Sequence, residues 1–114
     1  MLLPSIVLAA QEPPRKTLST VEIKQVLAGK VAADDHHWLY CFKTDGSVSG
    51  TELGSAHKGR WRVRDGRLCL NVPIRTNAHC MAVVKEGEKY IFRTDGVDLS
   101  DVTIVPYRAA LQVE

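Results

Sequence analysis

The stretch KGRWRVRDGRLCLNV, Lys58 to Val72, decides how the rest of the chain is read. From Lys58 to Arg64 a basic residue stands at every second position, which is the side-chain period of a β-strand and not of a helix. Asp65-Gly66 then supplies the residue pair that accepts positive φ in a tight hairpin. Beyond it, Leu68, Leu70 and Val72 share one face and Cys69 takes the other. The expectation is a hairpin with Trp61 and Val63 inward and Lys58, Arg60, Arg62 and Arg64 outward.

The same grammar extends in both directions. Upstream, HWLYCFK (37–43) puts Trp38, Tyr40 and Phe42 on one face, with Leu39 and Cys41 on the other. Downstream come HCMAVVK (79–85), KYIFR (89–93) and the β-branched VTIV (102–105). Asp45-Gly46, Gly87 and Asp95-Gly96 punctuate them as further turns. YCFKTDG (40–46) and YIFRTDG (90–96) echo one another, and two copies mark equivalent hairpins of one meander rather than a solenoid. Before the strands, LSTVEIKQVLAGK (18–30) predicts one helix. Ser19 and Glu22 have capping-box spacing, and Leu18 and Ile23 flank them as a hydrophobic staple. Ile23, Val26 and Leu27 form a narrow apolar stripe, and Gly29 ends the element in a left-handed conformation.

The predicted fold is therefore mainly β: a small antiparallel up-and-down barrel or strongly curved meander sheet with one N-terminal helix covering an open end or edge. At 114 residues, 45% hydrophobic and 25% charged, the chain supports one modest core. The expected domain runs over 18–108, preceded by a linker over 11–17 and followed by a tail over 109–114. The first ten residues, MLLPSIVLAA, carry no charge and end in small residues before the polar QEPPRK, as the remnant of a secretory signal would. A periplasmic or secreted monomer is expected. No apolar run reaches the ~18–20 residues of a membrane span.

Three cysteines bear on the same point. In an oxidising compartment Cys69 and Cys80 are the natural pair, on two strands joined by a short loop, where opposed Cβ atoms come within disulfide reach. Cys41 is left over. Other pairings, or three reduced and buried thiols, stand as alternatives.

Of the chemistry-bearing residues, Asp34, Asp35, His36 and His37 most resemble a site, but adjacent strand residues point to opposite faces and do not converge on one ion. No metal-binding spacing, nucleophile elbow or phosphate loop occurs, so no metal, cofactor or enzymatic activity is expected. The enzyme alternative is a hydrolase using His36 or His37 with Asp34 or Asp35. The row Lys58, Arg60, Arg62 and Arg64, spaced roughly 6–7 Å apart along one strand face, could meet an acidic polymer or protein. Its bland counterpart is a solvent face balanced by cross-strand carboxylates. Nucleic acid is not expected, because few bare aromatics accompany the row. Tyr40, Phe42, Trp61, Tyr90 and Phe92, with Trp38 beside them, either fill the core or line a cavity for a small apolar ligand.

The order of LSTVEIKQVLAGK, YCFKTDGSVSG, GRWRVRDGRLCL and HCMAVVKEGEKYIF resembles a family of small exported bacterial proteins of unknown function with lipocalin-like β character. The matching positions are Gly59, Trp61, Val63, Asp65, Gly66, Leu68, Cys69 and Cys80. The resemblance implies export, a Cys69–Cys80 disulfide and no assigned enzymology. Gly59-x-Trp61 is also similar to the Gly-x-Trp of lipocalins, but it lies mid-chain here, so no lipocalin ligand site carries over. Periplasmic lysozyme inhibitors are disulfide-bonded barrels of similar size, in which a Ser-Gly precedes a tyrosine. Here Thr51, Glu52 and Leu53 follow Ser49-Gly50, so inhibition is the weaker alternative.

Overall fold

A computed structural model describes residues 14–34, 37–72 and 79–107. Eight strands run in a meander: β2 (Lys30–Ala33), β3 (Trp38–Phe42), β4 (Ser47–Glu52), β5 (Ser55–Arg64), β6 (Arg67–Asn71), β7 (His79–Glu86), β8 (Lys89–Thr94) and β9 (Val97–Pro106). Each pairs antiparallel with the next, and β9 pairs back onto β2 through Lys30↔Pro106 to Ala33↔Thr103. The sheet is thus a closed eight-stranded antiparallel barrel, which leaves few backbone groups of its strands unpaired. One short strand stands outside this ring. Residues 15–17, expected as linker, form β1 (Arg15–Thr17) along β7. Arg15 anchors it through ion pairs to Glu86 and Asp98, partners that local sequence could not reveal.

The helix α1 (Thr20–Leu27) begins at the N-cap Ser19, and both halves of the capping box form: Glu22 N–H donates to Ser19 Oγ at 3.2 Å, and Ser19 N–H to Glu22 Oε1 at 2.9 Å. Leu18, Ile23 and Leu27 are buried in the barrel core. Gly29 takes φ +77, and its N–H donates to Phe42 O, passing the chain directly into the sheet. Gly66 N–H at the β5–β6 turn donates to Thr20 Oγ1 at 2.7 Å. The helix therefore plugs the end of the barrel that carries the β3–β4 and β5–β6 turns.

The inward faces follow the alternation in the sequence. Tyr40, Phe42, Val48, Val63, Leu68, Leu70, Val72, Met81, Val83, Phe92 and Val102 join the helix residues in one cluster, and no polar residue is buried among the described residues. Two inward glycines make room for large neighbours. A Cβ on Gly50 would lie 1.9 Å from Leu39 O and 2.7 Å from the Tyr40 ring, and one on Gly59 would lie 2.1 Å from Asn71 O. Strand approach this close is what glycine permits inside a barrel wall.

The internal echo has a different meaning from the one expected. β3 and β8 are five steps apart in the meander, so they run antiparallel and their turns lie at opposite ends of the barrel. The turns also differ in shape: Asp95 and Gly96 both have positive φ, whereas of Asp45 and Gly46 only the glycine does. Shared residues there encode a strand leaving into a turn, and nothing about position.

Candidate functional site

The end opposite the helix is the mouth, where β2, β4, β6 and β8 end and β3, β5, β7 and β9 begin. A cavity of about 180 Å³ opens there. Its wall is apolar, from Trp38, Tyr40, Phe42, Leu70, Met81, Phe92 and Leu99, and Asp34, Glu52 and His79 add polar groups. Trp38 stacks on Phe92 at 5.7 Å between ring centroids and tilts toward Tyr40 at 6.1 Å. Three rings from β3 and β8 thus hold one another in place on one side of the cup. The Tyr40 hydroxyl donates to Glu52 Oε2.

Asp34 organises the rim. Its Oδ1 accepts from the backbone N–H of His37 at 2.8 Å and of Trp38 at 2.9 Å, and its Oδ2 lies 3.1 Å from His37 Nδ1. Burial works to raise the Asp34 pKa, but the donors from Trp38 and His37, together with the His37 ring, hold it below the ordinary carboxylate value. Leu53 N–H donates to His37 O at 2.7 Å, tying the β4–β5 turn to the same loop. Asp34 and Leu53 thus fix His37 and Trp38 at the start of β3, with the Trp38 ring turned inward.

Of the five aromatics expected to line a ligand cavity, Tyr40, Phe42 and Phe92 do so. Trp61 sits toward the helix end, edge-on to Phe42 at 5.4 Å, with its Nε1–H donating to Lys43 O at 2.8 Å. Tyr90 packs against the core, with Lys85 Nζ 5.9 Å from its ring centroid. Strand alternation assigned the correct face to all five but not their height along the barrel axis. Glu52, Leu70, His79, Met81 and Leu99 carried no motif; their alternation and strand-end positions were the available signal. Near the mouth, His57 on β5 has a buried Nε2 with no hydrogen-bond partner among the described residues.

The hydrolase alternative keeps one piece of geometry, the Asp34–His37 contact; Asp35 and His36 lie outside the described residues. His37 is exposed, and among the described residues no Ser, Thr or Cys side chain hydrogen-bonds to its ring. Nor does any group of three or more His, Cys, Asp or Glu among them converge as metal ligands. Ser49-Gly50 lies within β4, with Gly50 pressed on the Leu39 backbone, and not in a projecting loop.

Cys69 and Cys80 are directly opposed in the β6–β7 register and form a disulfide. Cys41 is free and partly buried on β3, and burial pushes its thiol above the ordinary value against the pull of Lys43. No helix of the described residues is long and apolar enough to cross a membrane. The basic row lies as expected on the outer face of β5: Lys58, Arg60, Arg62 and Arg64 are all exposed.

Compared with protein-family models, curated proteins and solved structures, the chain matches none. The resemblance to the exported lipocalin-like family therefore rests on the residues quoted for it, and function has to be argued from the site itself.

Proposed function

We propose that this is a non-enzymatic, exported envelope protein whose barrel mouth binds a small apolar molecule. The cavity carries the proposal. Below it the barrel is filled by Phe42, Val48, Leu68 and Val83, so the cup is shallow. Drug-sized ligands occupy roughly 300–1,000 Å³, whereas an apolar cavity of about 150 Å³ takes up benzene. A volume of about 180 Å³ suits one ring with a short substituent and excludes a fatty acyl chain. Glu52 and Asp34 are acceptors and His79 can donate or accept, so a hydrogen-bond donor on the ligand is favoured. Export is supported by the charge-free MLLPSIVLAA segment and by the disulfide, which persists in oxidising compartments.

Titrating benzene, phenol, indole and benzylamine while following tryptophan fluorescence tests the cup. Phenol or benzylamine should bind in the micromolar to low-millimolar range and tighter than benzene. Met81→Trp should fill the cup and abolish binding while the barrel's circular dichroism is retained. If none of the four probes binds, or if Met81→Trp binds as well as the parent, the proposal is wrong. Activity against esters or glycosides that His37→Ala removes would establish the hydrolase instead.

A further inference from the structure

We propose a second binding surface, the outer face of β5 and β6, for a linear acidic polysaccharide carrying carboxylate or sulfate groups. It lies on the outer side of the barrel wall, sharing only Leu70 with the lining of the mouth cavity, and does not depend on that cavity. Five cations form it: Lys58, Arg60, Arg62 and Arg64 on β5, and Arg67 on β6, all exposed. The register shows what faces them. Lys58 lies opposite Ser49, Arg60 lies between Ser47 and Asn71, Arg62 opposes Cys69, and Arg64 opposes Arg67. None of these neighbours is a carboxylate.

The nearby acids do little to balance the row. Asp65 is 3.9 Å from Arg64, with both side chains well exposed. The Asp45 carboxylate accepts from the Ser47 N–H and hydroxyl, and Arg60 hydrogen-bonds the Asp45 carbonyl at 3.3 Å, adding only a minor charge attraction to that carboxylate beside the Ser47 hydrogen bonds. Like charges directly opposed across a strand pair, as in Arg64 and Arg67, destabilise a sheet. An anion between them reverses the sign of that interaction.

The shape of the face selects among anions. One groove is lined by Arg60, Trp61, Arg62, Cys69, Leu70 and Asn71. A second, lined by Arg62, Arg64, Asp65, Arg67 and the Cys69–Cys80 disulfide, shares Arg62 and Cys69 with the first. Together they make a track along the strand pair, with the Cα atoms of successive β5 cations roughly 6–7 Å apart. Strands of a closed barrel tilt by about 35–45°, so the track winds over a convex wall. A flexible chain can follow it, whereas a flat bilayer touches only part. Ser49 and Asn71 border the track with groups that hydrogen-bond sugar hydroxyls. Among the described residues no aromatic ring on this outer face is available to stack bases, since the Trp61 ring packs on Phe42.

The test uses the full-length oxidised protein with heparin and polygalacturonate, with neutral dextran as control and with phosphatidylglycerol vesicles and a single-stranded DNA 20-mer as competing ligands. At least one acidic glycan should bind, and the affinity should fall at least tenfold between 50 and 300 mM salt. The R62E/R64E double variant should weaken it at least 30-fold while K89E, on β8 two strands beyond β6, leaves it unchanged. Circular dichroism and thermal melting confirm that each variant is folded. Binding that is indifferent to salt, equal for dextran, or unchanged in R62E/R64E overturns the proposal. So does tighter binding to vesicles or DNA than to either glycan.

Discussion

Two sides of this barrel use the same residue types in opposite ways. Across β1, β7, β8 and β9, opposite charges interlock. Arg15 bridges Glu86 at 2.6 Å and Asp98 at 3.0 Å, and Lys89 reaches Asp101 at 3.2 Å and Glu86 at 3.7 Å. Arg93 Nε lies 2.8 Å from Asp98 Oδ1, a charge contact without hydrogen-bond geometry, while its Nη2 donates to Gly96 O. Across β5 and β6, five cations face serines, an asparagine, a cysteine and one another. The chain as a whole is nearly balanced, with 15 basic and 13 acidic side chains for a net charge of +2. The asymmetry is therefore a product of register: Arg15↔Glu86, Glu86↔Lys89 and Arg93↔Asp98 on one side, Arg64↔Arg67 on the other. A modest net charge concealed a strongly basic face.

The largest way to sharpen this contrast is to remove the staple on the basic side. Replacing Cys69 and Cys80 together by serine should cost about 2–3 kcal/mol of stability in a urea titration, from chain entropy restored to the unfolded state. The loss should be greater at low salt than at 0.5 M, because the disulfide holds β7 against β6, where Arg67 meets the β5 row. A salt-independent loss would show that repulsion on this face is too weak to strain the wall.

How much of this was legible follows from which interactions are local. The capping box and staple of α1 involve residues three to five apart, so they stood in the sequence and formed as expected. The inward row Leu68, Leu70 and Val72 and the outward row on β5 follow from a period of two, which needs no tertiary knowledge. β1 was missed because its support, Glu86 and Asp98, lies about 70 and 80 residues away. The site was half legible for the same reason. Alternation put Tyr40, Phe42 and Phe92 inside, but which inward rings stand near the mouth depends on the stagger of eight strands. The cross-strand carboxylates expected to balance the basic row were absent for a related reason: partner identity is set by register, and register is not written in either strand alone.

Acid gives a second, smaller test. The Arg15 side-chain hydrogen bond, helped by the Arg15 and Lys89 charges, holds the Glu86 carboxyl below the ordinary glutamate value. Its folded pKa is thus lower than its unfolded pKa, so its contribution is complete above the ordinary value of about 4.3 and is lost as pH falls through the folded value. Hydrogen exchange followed from pH 6 downward should therefore show β1 and the β7–β8 hairpin opening before β5–β6, where no carboxylate pairs across the strands. Arg15→Ala should remove most of that pH dependence. If β5–β6 opens first, the paired side is not the acid-labile one.

The smallest effect carries the cleanest sign. Arg64→Glu places a carboxylate opposite Arg67 in place of a second guanidinium. Cross-strand charge pairs are worth roughly 0.2–1 kcal/mol, so the variant should be more stable than the parent by about that amount. Loss of the 3.9 Å Arg64–Asp65 contact takes little away, since both side chains are well exposed. Lys89→Glu does the reverse, leaving Glu86 and Asp101 beside a third carboxylate, and should lower the melting temperature. Measured by thermal melting at 20 mM and 500 mM salt, the two shifts should have opposite signs and both should shrink as salt rises. If both reversals destabilise, a charge's tolerance is set by its own strand and not by the residue across from it. If Arg64→Glu stabilises as expected, the parent arginine is held at a position where folding alone favours its opposite, which is the energetic mark of a residue kept for something it binds.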